Sequence, residues 1–576
     1  MLLVDPTFVP NSSIGVRPPL RQKYLETKSA VNKLIYDNFH KQGLAIVLPL
    51  SELEKGNDAK KVHVSPFSWA PKAGTPKGRP IGDCSDGGVG AQPLNSKYTK
   101  VETDRVWGVI RHPTISDIAS MVDRFLGNDP PSLDPEDEYV LWKMDLKGAY
   151  TLLSLRSKDA ALFGMEMTGS MVMFFLCGIF GWTGTPACFQ VVTRAITFEL
   201  NKRLQGKTLM YVDDIFGVCK RRDLANELAV TRSVCESILG TNSVEDKKTE
   251  IGRRLTVIGY EIDIELRLVA VARKNVLKAL HGFLTTDLQA PTTVKSLQKL
   301  ASWGSRYAEI CRYMKPFTKA LYSAYAGRRE RAKFKIPQPA RVSIMVFRVL
   351  LSLTTVLERQ FTRSLDSFEP CFAPWIVEFD ASLSGIGLLW FHRDNSESTE
   401  VLLGGCSLDI TSLGFGDDAA FQNTAEFIAA AMGVRGLMAF GDVRNARIEF
   451  RGDSVTALTW AMKRVTRSAT ASNASIFYAL QCMSMGVEIS NTSHLKAEDN
   501  WRADMLSRGK SLADIGKLDR RFANNAVPTV NLDADRILQL CNPSLDHTIS
   551  EEKFLEFWTE VRKTTTDKLT IISMIS

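Results

Sequence analysis

Histidine is sparse in this 576-residue chain, at 7 positions, and its ten cysteines are scattered from Cys84 to Cys541. No Cys-x-x-Cys pair occurs, and no cysteine has a histidine at the spacing of a zinc finger. A disulfide scaffold and a zinc knuckle are therefore not expected, and a reducing, intracellular setting fits better. Long apolar runs are lacking too. The longest, MVMFFLCGIFGW (171–182), falls short of the roughly 20 residues that span a bilayer. The N-terminal MLLVDPTFVPN has no basic region and no long apolar segment, so no signal peptide is expected. The expected location is the cytoplasm or nucleus, for a protein neither secreted nor transmembrane. Charge of one sign is barely in excess: 72 Lys+Arg against 64 Asp+Glu leaves +8, which suits a polyanionic partner without requiring one.

What is present exceeds one compact core, and two to four domains are expected. Residues 1–25, with Pro6, Pro10, Pro18 and Pro19, read as an extended leader. AVNKLIYDNFHKQG reads as a helix with Val31, Leu34, Ile35 and Phe39 on one face. EYVLWKMDL is a strand, and past Asp263 helical patterns take over up to a basic linker, GRRERAKFKIPQP (327–339). WIVEFDASLSGIGLLWF (375–391) opens a new pattern with the alternation of a hairpin. The expected segments are a leader (1–25), a first domain (26–265), a helical segment with linker (266–370), a second domain (371–510) and a tail (511–576) without an interpretable motif.

LMYVDDIFGVC (209–219) places Asp213 and Asp214 inside a run of large apolar side chains. Two unit charges about 4 Å apart repel by roughly 4 kcal/mol at an effective dielectric near 20, so something must neutralise them. Two apolar β-prone runs flank the acids, which predicts a hairpin with both aspartates at its tip. Alone, this stretch reads more readily as a plain surface turn. Upstream, KMDLKGAY (143–150) is a strand ending in Asp145. Asp145 beside Asp213 would form a pocket for two Mg²⁺ ions, whose hard oxygen ligands these are and which drive phosphoryl transfer.

In order along the chain, KMDLKGAY, FGWTGTPACFQ, YVDD, EDKKTEIG and VIGYEID resemble the palm of a reverse transcriptase, over roughly residues 25–320. The resemblance implies Asp145 and Asp213 as principal metal ligands and Asp214 as a supporting acid. Tyr150 takes the position of a steric gate against a ribose 2′-OH, although a core aromatic would look the same. Helix TPACFQVVTRAITFEL (185–200) puts Phe189, Val192, Ile196 and Leu200 on one face, leaving Gln190 and Arg194 toward template or nucleotide. Gly181 allows close backbone approach. Lys72 and Arg79, in SWAPKAGTPKGRPIGD, would grip the incoming triphosphate, arginine through its bidentate fork. Lys248, or the adjacent Lys247, matches the position proposed to protonate leaving pyrophosphate.

A second acidic set follows: Asp380 ends the strand WIVEFD, Glu426 lies in the helix TAEFIAAAMGV, Asp453 ends ARIEFRGD and Asp504 sits in NWRADMLSR. Ala429, Ala430 and Gly433 fall at i+3, i+4 and i+7 from Glu426 and would let that helix approach a sheet closely. Any of these acids alone reads as a surface residue. Together with HLKAEDNWRADMLSR (494–508), the ordered set resembles ribonuclease H over about 372–508. His494 would then help release product or move protons. Between the sites, Trp303, Tyr307 and Tyr313 interleave with Arg306, Arg312 and Lys315. That stretch suits either a duplex-tracking surface or an ordinary helical core.

The reading is an α/β (α+β) chain: a right-hand polymerase of fingers, palm and thumb, a helical connection, and an RNase H-like mixed-sheet domain. It resembles the reverse transcriptase/ribonuclease H polyprotein of a long-terminal-repeat-type or DIRS-type retrotransposon. The resemblance implies two Mg²⁺ per site (Mn²⁺ as the substitute), with RNA template, DNA primer, RNA–DNA hybrid and dNTPs as partners. The sequence contains neither Asp-Ser-Gly or Asp-Thr-Gly nor a Cys/His zinc-binding head, which leans toward the DIRS type. A catalytically decayed or domesticated nucleic-acid-binding relative is the alternative.

Overall fold

The helix expected at AVNKLIYDNFHKQG forms as α1 (Lys28–Ile35), burying Val31 and Ile35, and continues into a π-helical turn at Tyr36–His40. The computed structural model describes residues 7–542 except 12–18, 55–61, 72–77, 128–133, 330–331, 353–361, 370–371, 395–398, 414–418, 442, 444–445, 467, 469 and 523–526; beyond 542 it describes 552, 556 and 559. The chain divides into two units, Met1–Ile258 and Gly259–Ser576. Both mix helices with sheets, the α/β class expected. No helix among the described residues is long and apolar enough to cross a membrane.

In the first unit the strands include β1 (Ala45–Pro49), β2 (Val64–Ser65), β3 (Phe67–Pro71), β4 (Gly78–Gly82), β5 (Tyr139–Asp145), β6 (Gly164–Met167), β7 (Met171–Phe175), β8 (Lys207–Tyr211), β9 (Asp214–Lys220) and β10 (Glu250–Gly252). They make a sheet ordered β1-β7-β6-β2, a hairpin β3-β4, and a sheet ordered β10-β5-β9-β8. Helix α2 (Gly184–Arg203) buries Phe189, Ile196 and Leu200 in a core shared with Trp142, Met144 and Ile215 of β5 and β9. The described part of the expected leader packs into this unit. Tyr24 is fully buried, and the Asn11 amide donates to the carbonyls of Val64 (2.6 Å) and Gly87 (3.1 Å).

The second unit opens on β11 (Tyr260–Asp263) and β12 (Leu268–Val271), to which β13 (Thr362–Ser364) adds. Helices α3 (Arg273–Thr285), α4 (Val294–Ile310), α5 (Lys315–Tyr325) and α6 (Gln338–Ser352) lie between. Tyr307 and Tyr313 are 1% and 4% exposed, so these rings belong to the helical core and not to a duplex-tracking surface. Then come β14 (Trp375–Ala381), β15 (Gly385–Arg393), β16 (Glu400–Asp409), α7 (Ala419–Gly436), β17 (Arg447–Gly452), α8 (Val455–Lys463), α9 (Ser472–Met485), β18 (Glu488–His494) and α10 (Trp501–Ser507). The five strands form one mixed sheet ordered β16-β15-β14-β17-β18, antiparallel on the β15 side of β14 and parallel on the other. Helix α7 lies against it at Gly433, where a Cβ would come within 2.4 Å of Val377. The Trp390 indole donates to the Gly433 carbonyl at 2.8 Å. The small residues near Glu426 thus permit the close approach their spacing predicts.

Candidate active sites

The first site forms at one end of β5 and β9. These strands are antiparallel, with Asp145 opposite Asp214 and Tyr211 of β8 opposite Asp214 on the other side. The hairpin exists, but only Asp213 sits in its turn. The two turn residues are Val212 and Asp213, because the register that pairs Tyr211 with Asp214 draws the second aspartate into β9. Val212 has φ +54°, a strained backbone for a β-branched residue, held by the ladder on either side. The Asp213 carbonyl accepts from Leu146 N at 2.9 Å, joining the tip to the end of β5.

Two lysines supply the neutralising charge. Lys248 Nζ pairs with Asp145 Oδ2, and Lys143 Nζ lies 3.2 Å from Asp214 Oδ1. Of the adjacent pair 247 and 248, Lys248 is the one on Asp145. Lys143 is not among the candidates the sequence motifs single out. Its signal is simple: two residues before Asp145 on a strand means the same face.

Other candidates are placed differently. Gln190 is 2% exposed and faces backbone: its carbonyl oxygen accepts from Arg111 N, and its Nε2 donates to the Val109 carbonyl at 3.3 Å. Both ends of its amide are engaged in pinning the loop at residues 109–111, as a buried amide requires. Arg194, one turn on, is exposed. Gly181 has φ +116°, and a Cβ there would fall 1.8 Å from the Gly82 carbonyl oxygen. Its need for glycine is met by packing against β4. Tyr150 is half-buried, its ring 4.8 Å from Phe180 and 5.5 Å from Phe189, as in an aromatic cluster. Arg79 pairs through its backbone with Ala70 in the β3–β4 hairpin; its side chain and all of Lys72 lie outside the described residues.

The second site follows from topology. Parallel strands end at the same edge of a sheet, so Asp380 near the end of β14 and Asp453 just beyond β17 come together. Helix α7 adds Glu426. Among the described residues, these three are the only set of three or more His, Cys, Asp or Glu whose ligand atoms lie within 4.8 Å of one another; Asp145, Asp213 and Asp214 make no such set. Asp380 and Glu426 are each 5% exposed. Burial, then the Asp380 and Asp453 charges, push the Glu426 carboxyl up to about 9. Burial also raises Asp380, to about 7, against a hydrogen bond from Ser507 and with Asp453 and Asp504 adding to the rise. Glu426 Oε2 is buried, with no hydrogen-bond partner among the described residues.

Three converging acids and an orphaned carboxylate oxygen fit a hard divalent cation such as Mg²⁺ or Mn²⁺. Asp504, the expected fourth acid, lies outside that set of three but near enough for its charge to act on Asp380, with Arg508 Nε 2.8 and 2.9 Å from its two oxygens. His494 is exposed, and its Nε2 lies 3.1 Å from the Asp453 carbonyl oxygen. In the sequence Asn500 and Ser507 are only letters of the motif HLKAEDNWRADMLSR. Both reach Asp380, at 3.3 and 2.6 Å.

No protein-family model and no curated protein matches the chain. Solved structures do. One is a foamy viral protease–reverse transcriptase dRH in complex with double-stranded DNA, 14% identical with a TM-score of 0.42, covering 84% of this chain and 72% of that one. A second, the foamy viral protease–reverse transcriptase with double-stranded DNA, is 13% identical with a TM-score of 0.41, covering 76% and 77%. A third, with an RNA/DNA hybrid, is 14% identical with a TM-score of 0.41, covering 86% of this chain and 58% of that one.

Proposed function

We propose that the chain is an RNA-directed DNA polymerase joined to a ribonuclease H, of a long-terminal-repeat-type or DIRS-type retrotransposon. The observation that carries the reading is the convergence of Asp380, Glu426 and Asp453 at one edge of a mixed sheet. These residues would hold divalent metal, with Asp504 beside them, and the metal's chemistry there is activation of water against the RNA strand of a hybrid. The upward shift of the Glu426 and Asp380 carboxyls by burial and by the charge of neighbouring acids supports the same role, since a cation would allow such acids to ionise together.

At the first site Asp145 and Asp213 would hold the metals of nucleotidyl transfer, with Asp214 in support. Lys248 pairs with Asp145, which would place its ammonium within reach of the reacting phosphates as a proton donor to the leaving pyrophosphate. RNA template, DNA primer and dNTPs are the corresponding substrates. The test is hybrid cleavage and primer extension with Mg²⁺ or Mn²⁺, run beside Asp453→Asn and Asp213→Asn. The reading expects each substitution to abolish one activity and spare the other. A parent protein that binds hybrid, cleaves none and extends no primer sinks it in favour of a binding-only relative.

A further inference from the structure

We infer that Asn500 and Ser507 are positioning residues that fix the rotation of the Asp380 carboxylate for a bound divalent cation. The inference rests on the metal-dependent reading of the second site. Asn500 is the residue just before α10 and Ser507 is its last. They are seven residues apart, two helical turns, and so share a stripe with Asp504 between them. Asn500 Nδ2 lies 3.3 Å from Asp380 Oδ1 and 3.2 Å from the Phe379 carbonyl oxygen. Ser507 Oγ donates to Asp380 Oδ2 at 2.6 Å. Both are buried, at 0% and 1% exposed.

An ionised carboxylate oxygen has two acceptor sites. One on each Asp380 oxygen is taken from the α10 side, which leaves the others for the side where Glu426 and Asp453 lie. The terminal torsion of aspartate is broad and sets no preference of its own. Without the two donors the carboxylate would rotate among orientations, most of them wrong for a cation.

The donors are themselves held. Ser382 Oγ donates to the Ser507 carbonyl and Ser407 Oγ to the Leu506 carbonyl, each at 2.7 Å, satisfying acceptors that a helix end leaves open. Gly385 and Gly387 bring β15 against the same turn. A Cβ on Gly387 would lie 2.0 Å from the Ala503 carbonyl oxygen, and one on Gly385 2.3 Å from that of Ser507. Support of this kind, from residues that touch the ligand side chain and not the metal, changes metal affinity by roughly 10–100-fold when removed.

The experiment measures Mn²⁺ binding by the full chain carrying Asp145→Asn and Asp213→Asn, without nucleic acid, by electron paramagnetic resonance. Ser507→Ala should weaken binding about tenfold, and Ser507→Thr, which keeps the hydroxyl, should restore much of it. Ser407→Ala removes a hydroxyl that anchors the same turn without touching Asp380, and should weaken binding clearly less than Ser507→Ala does. Equal affinity in Ser507→Ala and parent overturns the inference, as does an equal loss in Ser407→Ala. A parent that binds Mn²⁺ here yet cleaves no hybrid sinks the nuclease reading and leaves the positioning role standing. A parent that binds none overturns both.

Discussion

Asp214 stands directly opposite Asp145 across the β5–β9 ladder, and Lys143, on the same face, holds Asp214 Oδ1 at 3.2 Å. Like charges directly opposed on a sheet destabilise it. Here each carboxylate has its own lysine, and the Lys143–Asp214 pair is the more enclosed, at 18% and 28% side-chain exposure against 56% for Lys248.

Lys143→Met should therefore cost about 1–3 kcal/mol, the range for losing a partly buried charged partner. Urea unfolding measures it. Adding Asp214→Asn should recover part of the loss, because the acid then no longer needs a counter-charge. If the double variant is no more stable than Lys143→Met, the lysine acts through its hydrocarbon stem and not through the pair.

The second site makes stability depend on pH. Glu426 is raised to about 9 and Asp380 to about 7, whereas unfolded carboxyls titrate near 4. Between those values the folded state binds more protons than the unfolded one. Stability is then fully present below about pH 4 and declines as pH rises through 7 toward 9, where the decline ends. Divalent metal held by the three acids would favour their ionised forms and oppose the fall. Thermal unfolding at pH 5, 7 and 9, in chelator and in Mg²⁺, should show a decline in chelator that Mg²⁺ flattens. Glu426→Gln should remove most of the slope in chelator, and a slope unchanged by that substitution would assign it to other groups.

Elements whose residues carry their own pattern were legible in the sequence. The strand into Asp145, the hairpin at residues 207–220 and the helix bearing Glu426 all follow from local alternation or spacing. What escaped depends on register or on partners far along the chain. Asp214 left the turn because Tyr211 pairs with it, which no count of apolar residues reveals. Gln190 looked like an exposed polar position on an amphipathic helix, but a loop some 80 residues earlier supplies its partners. Ser507 looked like one letter of a motif, and its purpose appears only when α10 lies on β14.

Gly181 separates a structural from a substrate-binding need for glycine. Its φ of +116° already disfavours a side chain, and an added Cβ would sit 1.8 Å from the Gly82 carbonyl oxygen, a backbone atom that cannot step aside. The contact is fixed from the other direction as well, since Gly82 N donates to the Phe180 carbonyl at 3.0 Å. At Gly82 itself a Cβ would meet the terminal Cε of Met165 at 2.3 Å, and a flexible methionine end can move. Gly181→Ala should thus cost about 3 kcal/mol or more through strain and overpacking, and Gly82→Ala about 1–2 kcal/mol. Thermal unfolding of both variants gives the order. Gly181→Ala at parental stability with a raised KM for dNTP would reverse the assignment, because the glycine would then serve the incoming nucleotide and not the seam between β4 and the start of α2.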